Sequence, residues 1–176
     1  MKIVLVGYMG SGKSSIGTIL ANKLKIDFID LDEYIVQKEQ LTINEIFNLK
    51  GEVYFRKIEQ VYLKDVLCTD ANFVLAVGGG TPCYGINMDL INNYSTSIYL
   101  KASIQSISSR LEKWKYKRPL IAHIPIENLP EFIGKHLFER TPFYSKSNFE
   151  IITDNKSTEV VSEELLLILR TSLNKH

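Results

Sequence analysis

Cysteine is nearly missing from this chain: Cys68 and Cys83 are the only two in 176 residues. They make no CxxC pair and no metal spacing, which excludes a disulfide framework and suits small apolar fillers in a reducing cytosol. The three histidines, His123, His136 and His176, share neither a metal nor a triad spacing and read as structural or surface residues. Net charge is almost absent too. Twenty-one Lys and Arg against twenty Asp and Glu leave +1, so no global field selects DNA, RNA or an anionic membrane. No run of about 18 apolar residues is present to span a bilayer. The first apolar run is short and ends in a glycine-rich loop, unlike a secretory signal. Repeats and low-complexity tracts are lacking as well. What remains is an average globular composition, 45% hydrophobic and 23% charged, in a chain long enough for one sizeable core and too short for two. The expectation is a single domain over 1–176, a cytoplasmic, monomeric enzyme without nucleic-acid or membrane partners.

The chain is organised around Gly7-Tyr8-Met9-Gly10-Ser11-Gly12-Lys13-Ser14-Ser15. This stretch fits G-x-x-x-x-G-K-[ST], the phosphate-binding loop. Ile3-Val4-Leu5-Val6 before it reads as a buried strand, and Ile16, Ile19, Leu20 and Leu24 after it recur at helical spacing. Glycines let the backbone curl and aim N–H groups inward, and the helix start adds its positive end, so Gly10, Ser11, Gly12, Lys13, Ser14 and Ser15 form an anion site. Lys13 reaches the outer phosphates, and the Ser14 hydroxyl is suited to Mg²⁺.

Further strands are expected at Phe28–Asp30, Phe73–Val77, Ser97–Leu100 and Phe149–Ile152, separated by helical patterns. Thr42 with Glu45 makes a capping box, and Gly51 interrupts the helical pattern that runs from Glu33 to about Leu67. Val53, Phe55, Ile58, Val61, Tyr62 and Val66 mark the expected buried face of its second half. Ala122 to Pro130, with two prolines, reads as a mobile connection. Strands alternating with helices predict an α/β fold, a three-layer α/β/α sandwich around a central five-stranded parallel sheet, with ligands beyond the carboxyl ends of the strands.

Each strand end carries candidate chemistry. Asp30 and Asp32 follow the second strand, where one carboxylate can help hold hydrated Mg²⁺ and the other face an acceptor; Asp32 reads equally well as a helix cap. Arg56 precedes Glu59 and Gln60 by one turn and is explained by a surface pair, as Arg140 is by a solvated helix face. If the two arginines met in one cleft they would clamp a carboxylate bidentately. Gly78-Gly79-Gly80 lets a ligand lie against bare backbone, or is a plain turn. Arg118, in a basic run with two aromatics, reads as a lid cation that neutralises charge on a transferred phosphate, or as part of a solvated loop.

Together, Gly7–Ser15, Asp30-Leu31-Asp32, Phe55-Arg56-x-x-Glu59, Gly78-Gly79-Gly80, Arg118-Pro119-Leu120 and Glu139-Arg140-x-Pro142-x-Tyr144 resemble shikimate kinase, in the family's order and over about residues 2–170. The resemblance implies transfer of the ATP γ-phosphate to the 3-hydroxyl of shikimate, on the route to chorismate and the aromatic amino acids. It implies catalytic Lys13, Asp32 and Arg118; ATP contacts from Arg110, Arg118 and Lys156 beside the phosphate loop; and shikimate contacts from Asp32, Arg56, Glu59, Gly79 and Arg140. Phe47 and Phe55 would wall the pocket, and Ser14 with Asp30 through water would hold Mg²⁺. Residues 31–60 resemble the family's substrate-binding segment and about 112–124 its lid. Two departures stand out. Leu75-Ala76-Val77 offers no hydroxyl before the glycines to support the metal, and the insertion Ile121 to Glu131 is long. The competing readings are a kinase for another small acceptor, such as gluconate or a nucleoside monophosphate, and a regulatory module that binds nucleotide without catalysis.

Overall fold

The computed structural model describes residues 1–113 and 119–173. Five parallel strands form one sheet: β1 (Lys2–Val6), β2 (Asp27–Asp30), β3 (Phe73–Ala76), β4 (Thr96–Lys101) and β5 (Phe149–Ile152), in the order β2-β3-β1-β4-β5. All five sit where the apolar runs predict them. The central β1 is paired on both sides, Val4 with Leu75 and with Ser97, and so its continuous β-branched run is buried throughout.

Alternate residues of β1 feed two cores. Ile3 and Leu5 pack with Ile16 and Leu20 of α1 (Lys13–Leu24) and Val161 and Leu165 of α8 (Thr158–Leu173). Val4 and Val6 pack on the other side with α2 (Leu31–Glu39), α3 (Ile43–Leu67), α4 (Asn87–Tyr94), α5 (Ile104–Glu112) and α7 (Leu129–Tyr144). This is the expected three-layer arrangement. Among the described residues, no helix is long and apolar enough to cross a membrane.

The Thr42–Glu45 capping box is formed in both directions at the start of α3. Gly51, at φ 80° and ψ 170°, kinks that helix, in a conformation open essentially to glycine alone. One expectation needs correction. Val53 and Val61 are 67% and 55% exposed; the buried stripe runs instead through Phe55, Glu59, Leu63, Val66 and Leu67, because these recur every three or four residues and leave Val53 and Val61 on other faces of the same helix. The connection from Ala122 to Pro130, expected as mobile, carries local secondary structure. A short helix α6 (Pro119–Ala122) and a 3-10 turn (Ile126–Asn128) lead into α7. Ile121, Ile124 and Leu129 are buried, so side-chain anchors pin a segment whose two prolines read as loose; Pro130 begins a helix, where its missing N–H costs nothing.

Candidate active site

The phosphate loop follows β1 at the middle of the sheet and opens into a cleft of about 830 Å³. Gly12 caps α1 with φ 100°, a left-handed conformation that leaves the following N–H groups pointing into the cleft. Gly7 answers to a close approach as well, since a Cβ there would lie 2.8 Å from the Leu100 carbonyl. Gly10, Ser11, Gly12, Lys13, Ser14 and Ser15 all line the cleft. Lys13 Nζ donates to the carbonyls of Gly7 and Tyr8 at 2.9 and 3.0 Å.

At the end of β2 the two aspartates divide their work. Asp30, not Asp32, caps α2, its Oδ1 accepting the Asp32 N–H at 3.1 Å. Its other oxygen accepts from the Ser14 hydroxyl at 2.9 Å. Asp32 is thereby released from capping and lines the cleft. Its carboxyl is pushed up to about 6 by burial and then by the negative charges of Asp30 and Glu59, with Lys13 and Arg56 pulling the other way. Protein atoms crowd this carboxyl, yet the residue keeps an exposed side toward the cleft, and solvent there moderates the shift.

The glycine triplet after β3 is where the distant segments meet. A Cβ on Gly78 would lie 3.3 Å from Glu59 and 3.4 Å from Asp32; one on Gly79, 3.4 Å from Arg140; one on Gly80, 2.9 Å from Arg56. A Cβ on Gly80 would force the Arg56 guanidinium to move, and those on Gly78 and Gly79 would sit in close to ordinary contact with Glu59, Asp32 and Arg140, so the triplet lets these groups approach the backbone closely. Arg56 donates to Glu59 at 2.8 Å, and Glu59 is 1% exposed. Glu59 accepts again from Thr81 at 2.5 Å. Glu59 is therefore a buried carboxylate and Arg56 is half-buried, with exposed Glu52 as its second partner at 3.4 Å, so a purely solvated surface pair does not describe them. Arg140 lies over the Tyr8 ring at 5.5 Å, and Phe47 and Phe55 stack beside Arg56 with centroids 4.6 Å apart.

Arg110 and Lys156 line the far end of the cleft with Thr153 and Ser157. Arg110 donates to the carbonyls of Gly10 at 3.2 Å and Thr153 at 2.8 Å, tying the phosphate loop to the segment after β5. Lys156 pairs with Glu164 at 2.7 Å. Arg118 lies outside the described residues.

Ser14 and Asp30 offer hard oxygen donors side by side at the mouth of the phosphate loop. This fits Mg²⁺, which keeps several waters and takes one or two protein oxygens beside phosphates. Among the described residues, no cluster of three His, Cys, Asp or Glu forms a protein cage for a metal.

Sequence reasoning missed two features. Glu39 accepts from Tyr62 at 2.8 Å, Tyr54 at 2.9 Å and Lys50 at 3.1 Å, which holds α2 against α3; the partners lie 11 to 23 positions away, beyond any local pattern. The second is the contact of Tyr8 with His136, taken up below.

Comparison with known proteins places these features in context. The family model described as shikimate kinase matches residues 9–170. A shikimate kinase of Flavobacterium psychrophilum is 45% identical over 96% of this chain and 98% of its own. One from Flavobacterium johnsoniae is 43% identical over the same shares. The crystal structure of shikimate kinase from Bacteroides thetaiotaomicron superposes with a TM-score of 0.90 at 32% identity, covering 97% of this chain and 98% of that one. Shikimate kinase from Acinetobacter baumannii in complex with shikimate superposes with a TM-score of 0.87 at 31% identity, covering 97% and 93%.

Proposed function

This chain belongs to the shikimate kinase family, and from that membership we propose that it transfers the γ-phosphoryl group of ATP to the 3-hydroxyl of shikimate, giving shikimate 3-phosphate and ADP for aromatic amino acid biosynthesis. The observation that carries this reading is the convergence of Asp32, Glu59, Arg56 and Arg140 on Gly78–Gly80, beside the phosphate loop. Shikimate is a small ring with one carboxylate and three hydroxyls. Two guanidiniums, one carboxylate and bare backbone match that inventory.

In this reading Arg56 and Arg140 hold the shikimate carboxylate, with Glu59 keeping Arg56 in place and Gly79 touching the ring substituents. The Asp32 carboxylate accepts the hydrogen bond of the attacking hydroxyl and takes its proton as the oxygen reaches phosphorus. Loop N–H groups cradle the phosphates, and Lys13 meets the charge that develops on the transferred group. Ser14 and Asp30 would hold magnesium, which would supply further neutralisation of the phosphate oxygens. Arg110 and Lys156 border the nucleotide base, and Arg118, like Lys13, is assigned to the charge on the transferred phosphoryl group. Residues 31–60 act as the substrate-binding segment of a single domain, in a cytoplasmic monomer.

A coupled assay of ADP release against a panel of acceptors tests the assignment. Shikimate should give the highest kcat/KM. A preference for gluconate or a nucleoside monophosphate would replace the acceptor, and ATP binding without turnover on any acceptor would favour the regulatory module.

Arg56→Ala should raise the KM for shikimate by about 100-fold, the loss expected for a desolvated charge-assisted pair. ADP affinity, measured by calorimetry, should stay within about twofold, because the nucleotide is held elsewhere. Equal losses of both affinities would refute the assigned role. Glu59 would be left as a buried unpaired charge, so a lowered unfolding temperature is expected as well.

A further inference from the structure

The phosphate loop and the acceptor pocket are joined by a contact that neither site accounts for. Tyr8 is the second residue of the loop and only 1% exposed. Its main-chain carbonyl accepts from Lys13 Nζ at 3.0 Å and from the Ser11 N–H at 3.1 Å. Its side chain runs to α7, where the hydroxyl lies 3.0 Å from His136 Nδ1 and the ring lies under Arg140, with 5.5 Å from guanidinium to centroid. His136 and Arg140 are four residues apart and share one face of α7. Phe132, one turn earlier, packs on the imidazole at 4.2 Å between centroids.

Burial pushes the Tyr8 phenol up to about 12, so it keeps its proton. Burial, with Arg140 and Lys135 outweighing Glu139, holds the imidazole below its ordinary range, and the neutral ring bonds the hydroxyl through Nδ1, the donor being set by the imidazole tautomer. An aliphatic residue would fill the same space but would supply neither the hydroxyl nor the π-face.

The two arginines of the acceptor pocket are held differently. Arg56 is fixed by carboxylates, Glu59 and Glu52. Among the described residues, no ion pair holds Arg140; the Tyr8 face and the Tyr144 hydroxyl do. Neutral aromatic groups orient a guanidinium without consuming its charge.

We propose that Tyr8 and His136 are positioning residues for Arg140: the hydroxyl–imidazole bond fixes the Tyr8 ring, and the ring fixes the guanidinium where it meets the acceptor carboxylate. The inference rests on the reading of Arg140 as a carboxylate ligand. Through it, the residue whose carbonyl holds Lys13 also sets the acceptor clamp.

Steady-state kinetics with both substrates varied, and unfolding temperatures, are to be measured for Tyr8→Phe, Tyr8→Leu, His136→Phe, Arg140→Ala and the double variant Tyr8→Phe/Arg140→Ala. Tyr8→Phe and His136→Phe should each raise the KM for shikimate about fivefold, the weight of one ordinary hydrogen bond. Tyr8→Leu should raise it about tenfold or more, since the π-face is lost too. These rises should exceed any change in the KM for ATP. In the Arg140→Ala background, Tyr8→Phe should add nothing further. If Arg140→Ala leaves the KM for shikimate unchanged, the reading of Arg140 falls and this inference with it. If Arg140→Ala raises that KM, the inference alone is overturned by either of two results: Tyr8→Phe moving both KM values alike, or its effect multiplying with that of Arg140→Ala. Tyr8→Phe removes a single oxygen, so the test survives even if Tyr8→Leu fails to fold.

Discussion

Replacing Lys13 by methionine should lower turnover by at least about 10³-fold, the upper end of what one preorganised donor to developing charge contributes. Methionine keeps the length and apolar stem of lysine and removes only the ammonium. The groups Lys13 engages, the carbonyls of Gly7 and Tyr8 at 2.9 and 3.0 Å, border an open cleft where water can replace the ammonium. Stability should therefore fall by only about 1 kcal/mol. Circular dichroism should overlay that of the unmodified protein, and the unfolding temperature should fall by only about 2–4 °C, while coupled ADP release vanishes. The loss should appear in kcat more than in the KM for ATP, because the charge Lys13 meets is larger in the transition state than in bound ATP. Turnover near that of the unmodified protein would remove Lys13 from the chemistry.

The parts of this molecule legible in its sequence are those encoded within about one turn or one strand of themselves. Ile3–Val6 announces a central strand because both its faces are apolar, and the phosphate loop is a contiguous string. Thr42 and Glu45 cap a helix across three positions. Asp30 and Asp32 were harder to separate, since either carboxylate can cap; the choice falls to Asp30 because its side chain reaches the Asp32 N–H. What no window reveals is contact across the fold. Glu39 gathers Tyr54, Tyr62 and Lys50, and Tyr8 finds His136 from 128 positions away. Such pairs leave no periodicity, and each partner alone looks like an ordinary surface or core residue. The same holds for Arg56 and Arg140, which come to one glycine turn from segments far apart in the chain.

Asp32→Asn should lower kcat by about 10² to 10⁴-fold, the range for loss of a positioned general base. Asparagine keeps the shape and a hydrogen-bond acceptor but cannot take the proton. The unmodified protein should also lose kcat/KM for shikimate as pH falls through about 6, since burial, Asp30 and Glu59 all favour the protonated carboxyl and only the ionised form accepts a proton. An activity flat from pH 8 to pH 5 would exclude Asp32 as base. The same shift has an opposite consequence for folding. Raised from 3.8 to about 6, the Asp32 carboxyl holds its proton more tightly in the folded chain than in the unfolded one. Its favourable contribution is complete below about pH 4 and is lost as pH rises through 6. At pH 8 the ionised carboxylate is therefore a net cost, about 1 kcal/mol once its exposure to solvent in the cleft is allowed for. Asp32→Asn should accordingly unfold about 2–4 °C higher than the unmodified protein at pH 8, with the gap closing near pH 4. A variant that is slower and more stable at neutral pH, yet equal in stability in acid, is what a carboxylate held ionised against its surroundings for catalysis requires. A variant destabilised at every pH would instead make Asp32 a structural residue.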